Sequence, residues 1–170
     1  TGIAHGGSII FTSSMMEMIG ISGEVVAVDI DLRKHNRDLI ESHPMYKRIT
    51  MYEGNSIDQV IIDKVSKHAE DKKCIMVILD SLHTHEQAYK ELKAYASLVT
   101  VGSYCILSDT SIEFFPKGYY SSNRPWDVGN NPYTAMHEFL KETNLFEIDK
   151  NLTNKAMITE AIDGYLKRIA

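Results

Sequence analysis

Apolar and polar positions follow two periodicities along this chain, and together they predict strands separated by helices. Short runs of mainly apolar residues, typical of buried parallel strands, occupy residues 24–29, 74–79 and 103–107, and residues 48–53 read as a further strand. Apolar residues recur at helical spacing over residues 8–19, 57–69, 85–96 and 132–143. Two later runs, 146–148 and 156–159, predict an antiparallel pair. We therefore expect an α/β fold, a Rossmann-like three-layer α/β/α sandwich whose sheet is mostly parallel, with an antiparallel strand near the C-terminus.

Residues 1–8 are rich in glycine and lead directly into the first predicted helix, while the strand at 24–29 ends on Asp29. This order is typical of a nucleotide-binding β-α-β unit, in which glycines let the backbone approach a ligand and the helix N-terminus offers N–H groups. The acidic residue about 20 positions further on accepts ribose hydroxyls. The spacing of Gly2, Gly6 and Gly7 departs from G-x-G-x-x-G, which disfavours an NAD-dependent dehydrogenase and favours the looser loop of S-adenosylmethionine enzymes. An ordinary helix N-terminus is the alternative.

A β-α-β unit needs a strand before its glycine-rich turn. Since the turn begins at Thr1, we expect strand one to precede Thr1 in the natural protein. Residues 1–170 are then a single, N-terminally truncated domain, because 170 residues suit one hydrophobic core.

The overall composition limits the binding partners and the cellular location that can be expected. The formal net charge of -5 argues against a nucleic-acid partner. No apolar run approaches the ~18 residues of a membrane span, and no signal peptide opens the chain, so we expect a cytoplasmic protein. Cys74 and Cys105 lie in apolar runs and are expected to be buried, reduced thiols. A homo-oligomer is left open.

Predicted strands end on carboxylates at Asp29, Asp80 and Asp109. The strands before Asp80 and Asp109 would sit side by side, and ligands of such sheets lie beyond the carboxyl ends of the strands. Two carboxylates placed there can share a divalent cation such as Mg²⁺. A helix N-cap after each strand is the alternative.

Two histidines, His83 and His85, follow Asp80 and can take a proton from a substrate hydroxyl near neutral pH. Zinc is disfavoured because no third His or Cys stands at suitable spacing. The irregular segment 111–131, which contains Trp126, is expected to be a functional loop that closes over an acceptor, unless it is a hydrophobic lid packing on itself.

Several motifs, in the same order, give the chain a family resemblance. They are GIAHGGS (2–8), VVAVDID (25–31), RITMYEG (48–54), LDSLHTH (79–85), VGSYCILSDT (101–110), RPWDVGNNP (124–132) and DGYLKR (163–168). Over essentially its whole length the chain resembles the cephalosporin hydroxylase family, which groups with rhamnosyl O-methyltransferases.

The resemblance implies a class I S-adenosylmethionine-dependent methyltransferase fold. The implied activity is O-methylation of a small-molecule hydroxyl on a sugar, a glycolipid or an antibiotic-like acceptor, as in lipid biosynthesis. The positions that it implies for the cofactor, with the residues read above, are Gly2, Ala4, His5, Gly6, Gly7, Ser8, Asp29, Asn55, Ser56 and Asp80.

The resemblance also implies a metal site laid out as in catechol O-methyltransferases. Its positions fall on Asp80, Ser108 and Asp109, with the general base at His83, three residues after the first ligand. Ser108 departs from the Glu common in relatives, and a neutral hydroxyl is a weaker Mg²⁺ ligand. A partner subunit of a hydroxylase-type complex, or a non-catalytic module that keeps the cofactor fold, therefore stays open. A lone oxygenase is disfavoured because no 2-His-1-carboxylate spacing is present.

Overall fold

A computed structural model describes residues 1–120 and 123–170 of the chain. Ser121 and Ser122, which belong to the predicted 111–131 loop, lie outside the described residues. The chain divides into two compact units, Thr1–His68 and Ala69–Ala170, and each is described by itself. The single domain and the strand before Thr1 stay predictions.

The first unit alternates helices with parallel strands. Its elements are α1 (Gly7–Met18), β1 (Val25–Asp29), α2 (Lys34–Ser42), a 3-10 helix (Pro44–Arg48), β2 (Ile49–Glu53) and α3 (Gln59–Ala69), which ends at the unit boundary. Val25 lies opposite Ile49 and Asp29 opposite Glu53. Because the pair is parallel, both strands end at one edge, where the Gly54 N–H donates to the Asp29 carbonyl over 2.8 Å.

The core of the first unit joins the glycine-rich segment to both strands and two helices. Its buried apolar members are Ile3, Ile9, Ala27, Leu32, Ile40 and Ile49. Burial of each large aliphatic side chain contributes about 1.5–3 kcal/mol. Ile3 belongs to the segment before α1, so that segment is packed into the unit as well as hydrogen-bonded to it.

The second unit contains a mixed sheet in the order β3-β4-β6-β5. Its elements are β3 (Val77–Leu79), α4 (His85–Tyr95), a 3-10 helix (Ala96–Leu98), β4 (Tyr104–Leu107), a 3-10 helix (Thr110–Phe114), α5 (Pro132–Glu142), β5 (Phe146–Ile148), α6 (Lys150–Ala156) and β6 (Tyr165–Arg168). The β3–β4 pair is parallel, and β6 runs antiparallel to β4 and β5. The predicted α/β class is confirmed, as is an antiparallel strand near the C-terminus.

Two details of the predicted elements are wrong. Residues 156–159 form no strand: α6 ends at Ala156, and Met157 and Ile158 are 87% and 94% exposed. The antiparallel strand is β6. Its sequence lacks the alternation of apolar and polar residues that predicts a strand, because Leu166 is its one fully buried side chain. The strand expected at 74–79 begins at Val77, so Cys74 is exposed rather than buried, whereas Cys105 is buried. Among the described residues, no helix is long and apolar enough to cross a bilayer.

Candidate functional site

Hydrogen bonds to Asp29 link the glycine-rich segment to the end of β1. Its Oδ2 atom accepts hydrogen bonds from the backbone N–H of Ile3 (2.7 Å) and Ala4 (2.9 Å), and its Oδ1 accepts one from Asp31 N (3.1 Å). Desolvation raises the pKa of Asp29, but the backbone N–H groups of Ala4, Ile3 and Asp31 together outweigh it, so the pKa lies below its usual value. Asp29 is therefore a carboxylate at neutral pH.

Glycine is required at one position of this segment by both conformation and space. Gly6 has φ +84°, and a Cβ there would lie 2.5 Å from Ile40 Cδ1 and Cγ1. Gly6 immediately precedes α1, and among the described residues no side chain hydrogen-bonds to cap this helix. Gly7 and Ser8, in its first turn, are exposed. Backbone N–H groups at the start of α1 are thus available to an anionic ligand.

Asn36 on α2 also hydrogen-bonds to the glycine-rich segment. The sequence analysis did not identify this residue. Its Nδ2 donates to the Ala4 carbonyl (2.9 Å), and its Oδ1 lies 3.4 Å from His5 Nδ1. Asn36 is buried although it is polar, and it stands one helical turn before the buried Ile40. A polar residue in the inward stripe of an amphipathic helix is the signal that would have identified it.

Asn55 and Ser56 follow β2 at the same edge of the sheet as Asp29. Asn55 Oδ1 accepts a hydrogen bond from Ile57 N (3.3 Å), and Ser56 is buried. The first unit therefore contains every residue predicted to bind a cofactor except Asp80, which belongs to the second unit, and its glycine-rich segment is directly hydrogen-bonded to Asp29. Whether each of them contacts a cofactor stays a prediction.

A shallow pocket of about 410 Å³ lies on the α2 side of the segment. Its lining includes His5, Gly6, Leu39 and His43, but not Asp29. The pocket and the Asp29 edge are therefore different faces of the same segment.

In the second unit, Asp80, His83 and Asp109 converge. One ligand atom from each lies within 4.8 Å of the others, and His83 Nδ1 is 3.2 Å from Asp109 Oδ2. The parallel register of β3 and β4 pairs Leu79 with Leu107, and Ser108 N donates to the Leu79 carbonyl over 3.0 Å. The residues that follow the two strands are thereby held side by side, as the sequence predicted.

The electrostatics of this cluster favour a cation. Desolvation of the Asp80 carboxyl raises its pKa; the charges of Asp109 and Glu160 raise it further, and His83 opposes them. Asp109 adopts the left-handed backbone region, with φ +55°, which is uncommon for a non-glycine residue and is often found at functional sites.

The donor set fits Mg²⁺. Carboxylate oxygens are its preferred protein ligands, and opposite ligands of one Mg²⁺ lie about 4.2 Å apart. One carboxylate oxygen of Asp80 and one of Asp109 lie within 4.8 Å of each other, so the two can reach opposite positions on one ion after a small movement of the side chains. Ser108 is buried directly before Asp109, and its role as a ligand stays a prediction.

His85 does not join this cluster. Its Nδ1 lies 2.8 Å from Thr134 Oγ1 and its Nε2 lies 3.1 Å from Glu138 Oε2, both on α5. Thr84 caps α4 by accepting from Gln87 N (3.3 Å), so His85 is the first helical residue and turns toward α5. The structure thus separates the two histidines, both of which were candidate bases by their chemistry, while the family resemblance pointed to His83.

The loop after β4 places Trp126 beside His83. The ring centroids are 4.8 Å apart with an interplanar angle of 80°, an edge-to-face contact. Part of the segment predicted to cover the acceptor thus reaches the histidine of the cluster.

The chain was compared with known proteins. The family model described as Rhamnosyl O-methyltransferase/CmcI matches residues 1–169. A curated rhamnosyl O-methyltransferase of Mycobacterium tuberculosis (strain ATCC 25618 / H37Rv) is 26% identical over 171 aligned positions, covering 98% of this chain and 64% of the relative. That of Mycobacterium leprae (strain TN) is 28% identical over 169 positions, covering 98% and 69%. The chain thus spans about two thirds of the length of the curated relatives that it matches.

Among solved structures, the chain is similar to the MycE methyltransferase of the mycinamycin biosynthetic pathway, determined in complex with Mg and SAH. The TM-score is 0.46 at 14% identity, over 83% of this chain and 41% of MycE.

Proposed function

The chain belongs to the rhamnosyl O-methyltransferase/CmcI family, and from this premise and the geometry of its sites we propose that it is an S-adenosylmethionine-dependent O-methyltransferase. The observation that carries the proposal is the convergence of Asp80, His83 and Asp109, because a carboxylate pair beside an imidazole can both hold and deprotonate a hydroxyl group. S-adenosylmethionine supplies the methyl group when bound.

The first unit binds the cofactor in this proposal. The exposed N–H groups at the start of α1, after Gly6, receive the carboxylate of the methionine part. Asp29 is ionised and lies at the same edge as Asn55, so its remaining lone pairs can accept ribose hydroxyls. Asp29 then has two tasks, since it also holds the loop through Ile3 and Ala4.

The second unit holds the acceptor. Asp80 and Asp109 would bind Mg²⁺, which when present lowers the pKa of a coordinated hydroxyl. His83 is oriented through its Nδ1 by Asp109, so Nε2 is the ring nitrogen that takes the proton from the acceptor hydroxyl. His85 is not assigned to this step, because its ring is held by Thr134 and Glu138.

The acceptor in this proposal is a sugar hydroxyl. The curated relatives are named rhamnosyl O-methyltransferases, and they match this chain over 98% of its length. The divalent-cation site supports the same class, because neighbouring hydroxyls of a sugar can chelate a hard cation.

The test is methyl transfer from labelled S-adenosylmethionine to a simple rhamnoside, with and without Mg²⁺. The two histidines of the segment 83–85 provide matched variants. We expect His83→Gln to lower kcat by about 10²–10⁴-fold, the usual worth of general base catalysis. His85→Gln should leave kcat within a few-fold of the wild-type value.

Calorimetry with S-adenosylhomocysteine separates the parts of the proposal. Binding without transfer to any rhamnoside would keep the cofactor and reject the acceptor class. No binding to the full protein would reject the methyltransferase assignment, and equal losses in both histidine variants would reject His83 as the base.

A further inference from the structure

The indole ring of Trp126 contacts the imidazole of His83 and the guanidinium group of Arg124. Its ring meets the imidazole edge-to-face at 4.8 Å, and the Arg124 guanidinium carbon lies 4.9 Å from the indole centroid. A cation over the indole face and an imidazole nearly perpendicular to the indole restrict the orientations open to the ring.

Asn130 ties the backbone segments carrying the two rings to each other. Its Nδ2 donates to the Pro125 carbonyl (2.8 Å), directly before Trp126. Its Oδ1 accepts from the backbone nitrogen of His85 (3.0 Å), two residues after His83. One side chain therefore spans the start of α4 and the loop that presents the indole.

The loop has further anchors on both sides of Trp126. Asp127 accepts from Gly118 N (2.9 Å) through Oδ2 and from Val128 N (2.8 Å) through Oδ1. Asn131, fully buried at the N-terminus of α5, donates to Glu113 Oε2 over 2.6 Å. These bonds join the loop to itself and to the start of α5, so the position of the indole is set by a hydrogen-bonded frame.

We propose that Trp126 is a positioning residue for His83, and that Asn130 sets the distance between them. Asp109 fixes the imidazole through Nδ1, and Trp126 restricts rotation of the ring about that contact, which keeps Nε2 aimed at the acceptor hydroxyl. This inference rests on the proposed role of His83 as the base. It assigns a function to the R-P-W-D and N-N motifs, which the cofactor and metal sites do not use.

The geometric part is tested without activity, by NMR of histidine ring protons in the wild-type protein, Trp126→Phe and Trp126→Ala. The His83 signals are assigned by their loss in His83→Gln. An indole at this distance shifts them by its ring current, so both variants should move the His83 signals, with the other histidines unchanged. Unmoved His83 signals would overturn the inference.

The functional part is tested by steady-state kinetics. Misplacing a reacting group by about one ångström costs up to about 10²-fold in rate. We expect Trp126→Ala to lower kcat about 10–100-fold while KM for the rhamnoside and for S-adenosylmethionine changes less than about twofold. Trp126→Phe should recover most of the rate, because an aromatic edge contact is restored.

Asn130→Asp tests the bridge, because it keeps the acceptor for His85 N and removes the donor to the Pro125 carbonyl. It should lower kcat in the same way as Trp126→Ala. The matched control is Phe114→Leu. Phe114 ends the 3-10 helix before this loop, and its ring centroid lies 5.0 Å from that of Tyr133, so the variant should leave kcat unchanged.

The outcomes separate the two proposals. A rise in KM for the rhamnoside at constant kcat would mean that Trp126 contacts the acceptor and would overturn its positioning role. A wild-type protein that transfers no methyl group would reject the proposed function, and the NMR arm would still decide whether Trp126 sets the His83 ring. If Trp126→Ala does not fold, Trp126→Phe tests the geometric part by NMR and Asn130→Asp tests the functional part by kinetics.

Discussion

The Oδ2 atom of Asp29 lies 2.7 Å from the backbone nitrogen of Ile3, so the carboxylate at the end of β1 is a structural partner of the glycine-rich segment. The same atom accepts from Ala4 N, and Ile3 is buried in the core of the first unit. A change at Asp29 therefore acts on the fold of the segment and on ligand binding together.

Asp29→Ala is expected to destabilise the protein and to abolish binding of S-adenosylhomocysteine. Hydrogen bonds to a charged group contribute about 1.5–3 kcal/mol each, and the variant loses two to the segment. Asp29→Asn should be intermediate, because an amide oxygen still accepts. Urea unfolding and calorimetry measure the two effects. The control is Asp31→Ala, because the Asp31 side chain is exposed and lies 3.6 Å from Arg33 Nε. An equal loss in that variant would contradict the assignment.

Gly6→Ala is expected to cost about 2–4 kcal/mol of unfolding free energy. The left-handed conformation costs about 1–2 kcal/mol for a non-glycine residue, and the new Cβ overpacks against Ile40 at 2.5 Å. Gly7→Ala is the matched control, since nothing lies within 4 Å of its Cβ position and the residue is helical. Urea midpoints compare the two, and equal midpoints would refute the requirement for glycine at Gly6.

Asp80 should make the metal-free protein less stable as pH rises. Its pKa is raised in the folded state above the unfolded value of about 3.9, so folding favours the protonated form. The stability present below that value is lost as pH rises through the folded pKa. Thermal unfolding of wild type and Asp80→Asn from pH 4 to 7 measures this, and the variant should lack that loss. The control is Asp63→Asn, an exposed residue of α3, which should follow the wild type.

In the wild-type protein at pH 7, Mg²⁺ should restore the stability that is lost when Asp80 ionises. A ligand at ten times its dissociation constant stabilises by about 1.4 kcal/mol. Asp80→Asn should gain much less, because one ligand oxygen has lost its charge. An equal gain in both proteins would place the ion elsewhere.

The two cysteines should react differently with a thiol reagent. Cys74 is exposed, whereas Cys105 is fully buried and desolvation raises its pKa to about 12. One thiol should react rapidly in the native protein and two in denaturant. Cys74→Ser should abolish the rapid phase, and two rapid native thiols would contradict the burial of Cys105.

The sequence predicted those parts of the site that depend on strand ends. Apolar runs stop at Asp29, Asp80 and Asp109, and parallel pairing brings such ends together, so the carboxylates could be placed before their contacts were known. Residue chemistry could not separate His83 from His85, and only the family resemblance singled out His83, because the position of His85 depends on how α5 packs against α4. Both histidines follow the same aspartate and have the same chemistry.

Contacts between distant segments account for what was missed. Asn36 reaches Ala4 and Trp126 reaches His83 only because helices and loops far apart in sequence pack together. The strand wrongly predicted at 156–159 has a different cause. Its apolar residues have high strand propensity, but Met157 and Ile158 are exposed and follow directly on the end of α6.

The brace formed by Asp29 and Asn36 has a kinetic consequence. Both side chains hydrogen-bond to the backbone of Ala4, so the conformation of the glycine-rich segment is fixed before a ligand binds. A preorganised loop loses little further conformational entropy on association, and docking onto it requires no slow rearrangement. Stopped-flow traces of cofactor binding should accordingly be single-exponential, with a rate that rises linearly with ligand concentration, and Asn36→Ala should introduce a plateau set by loop ordering.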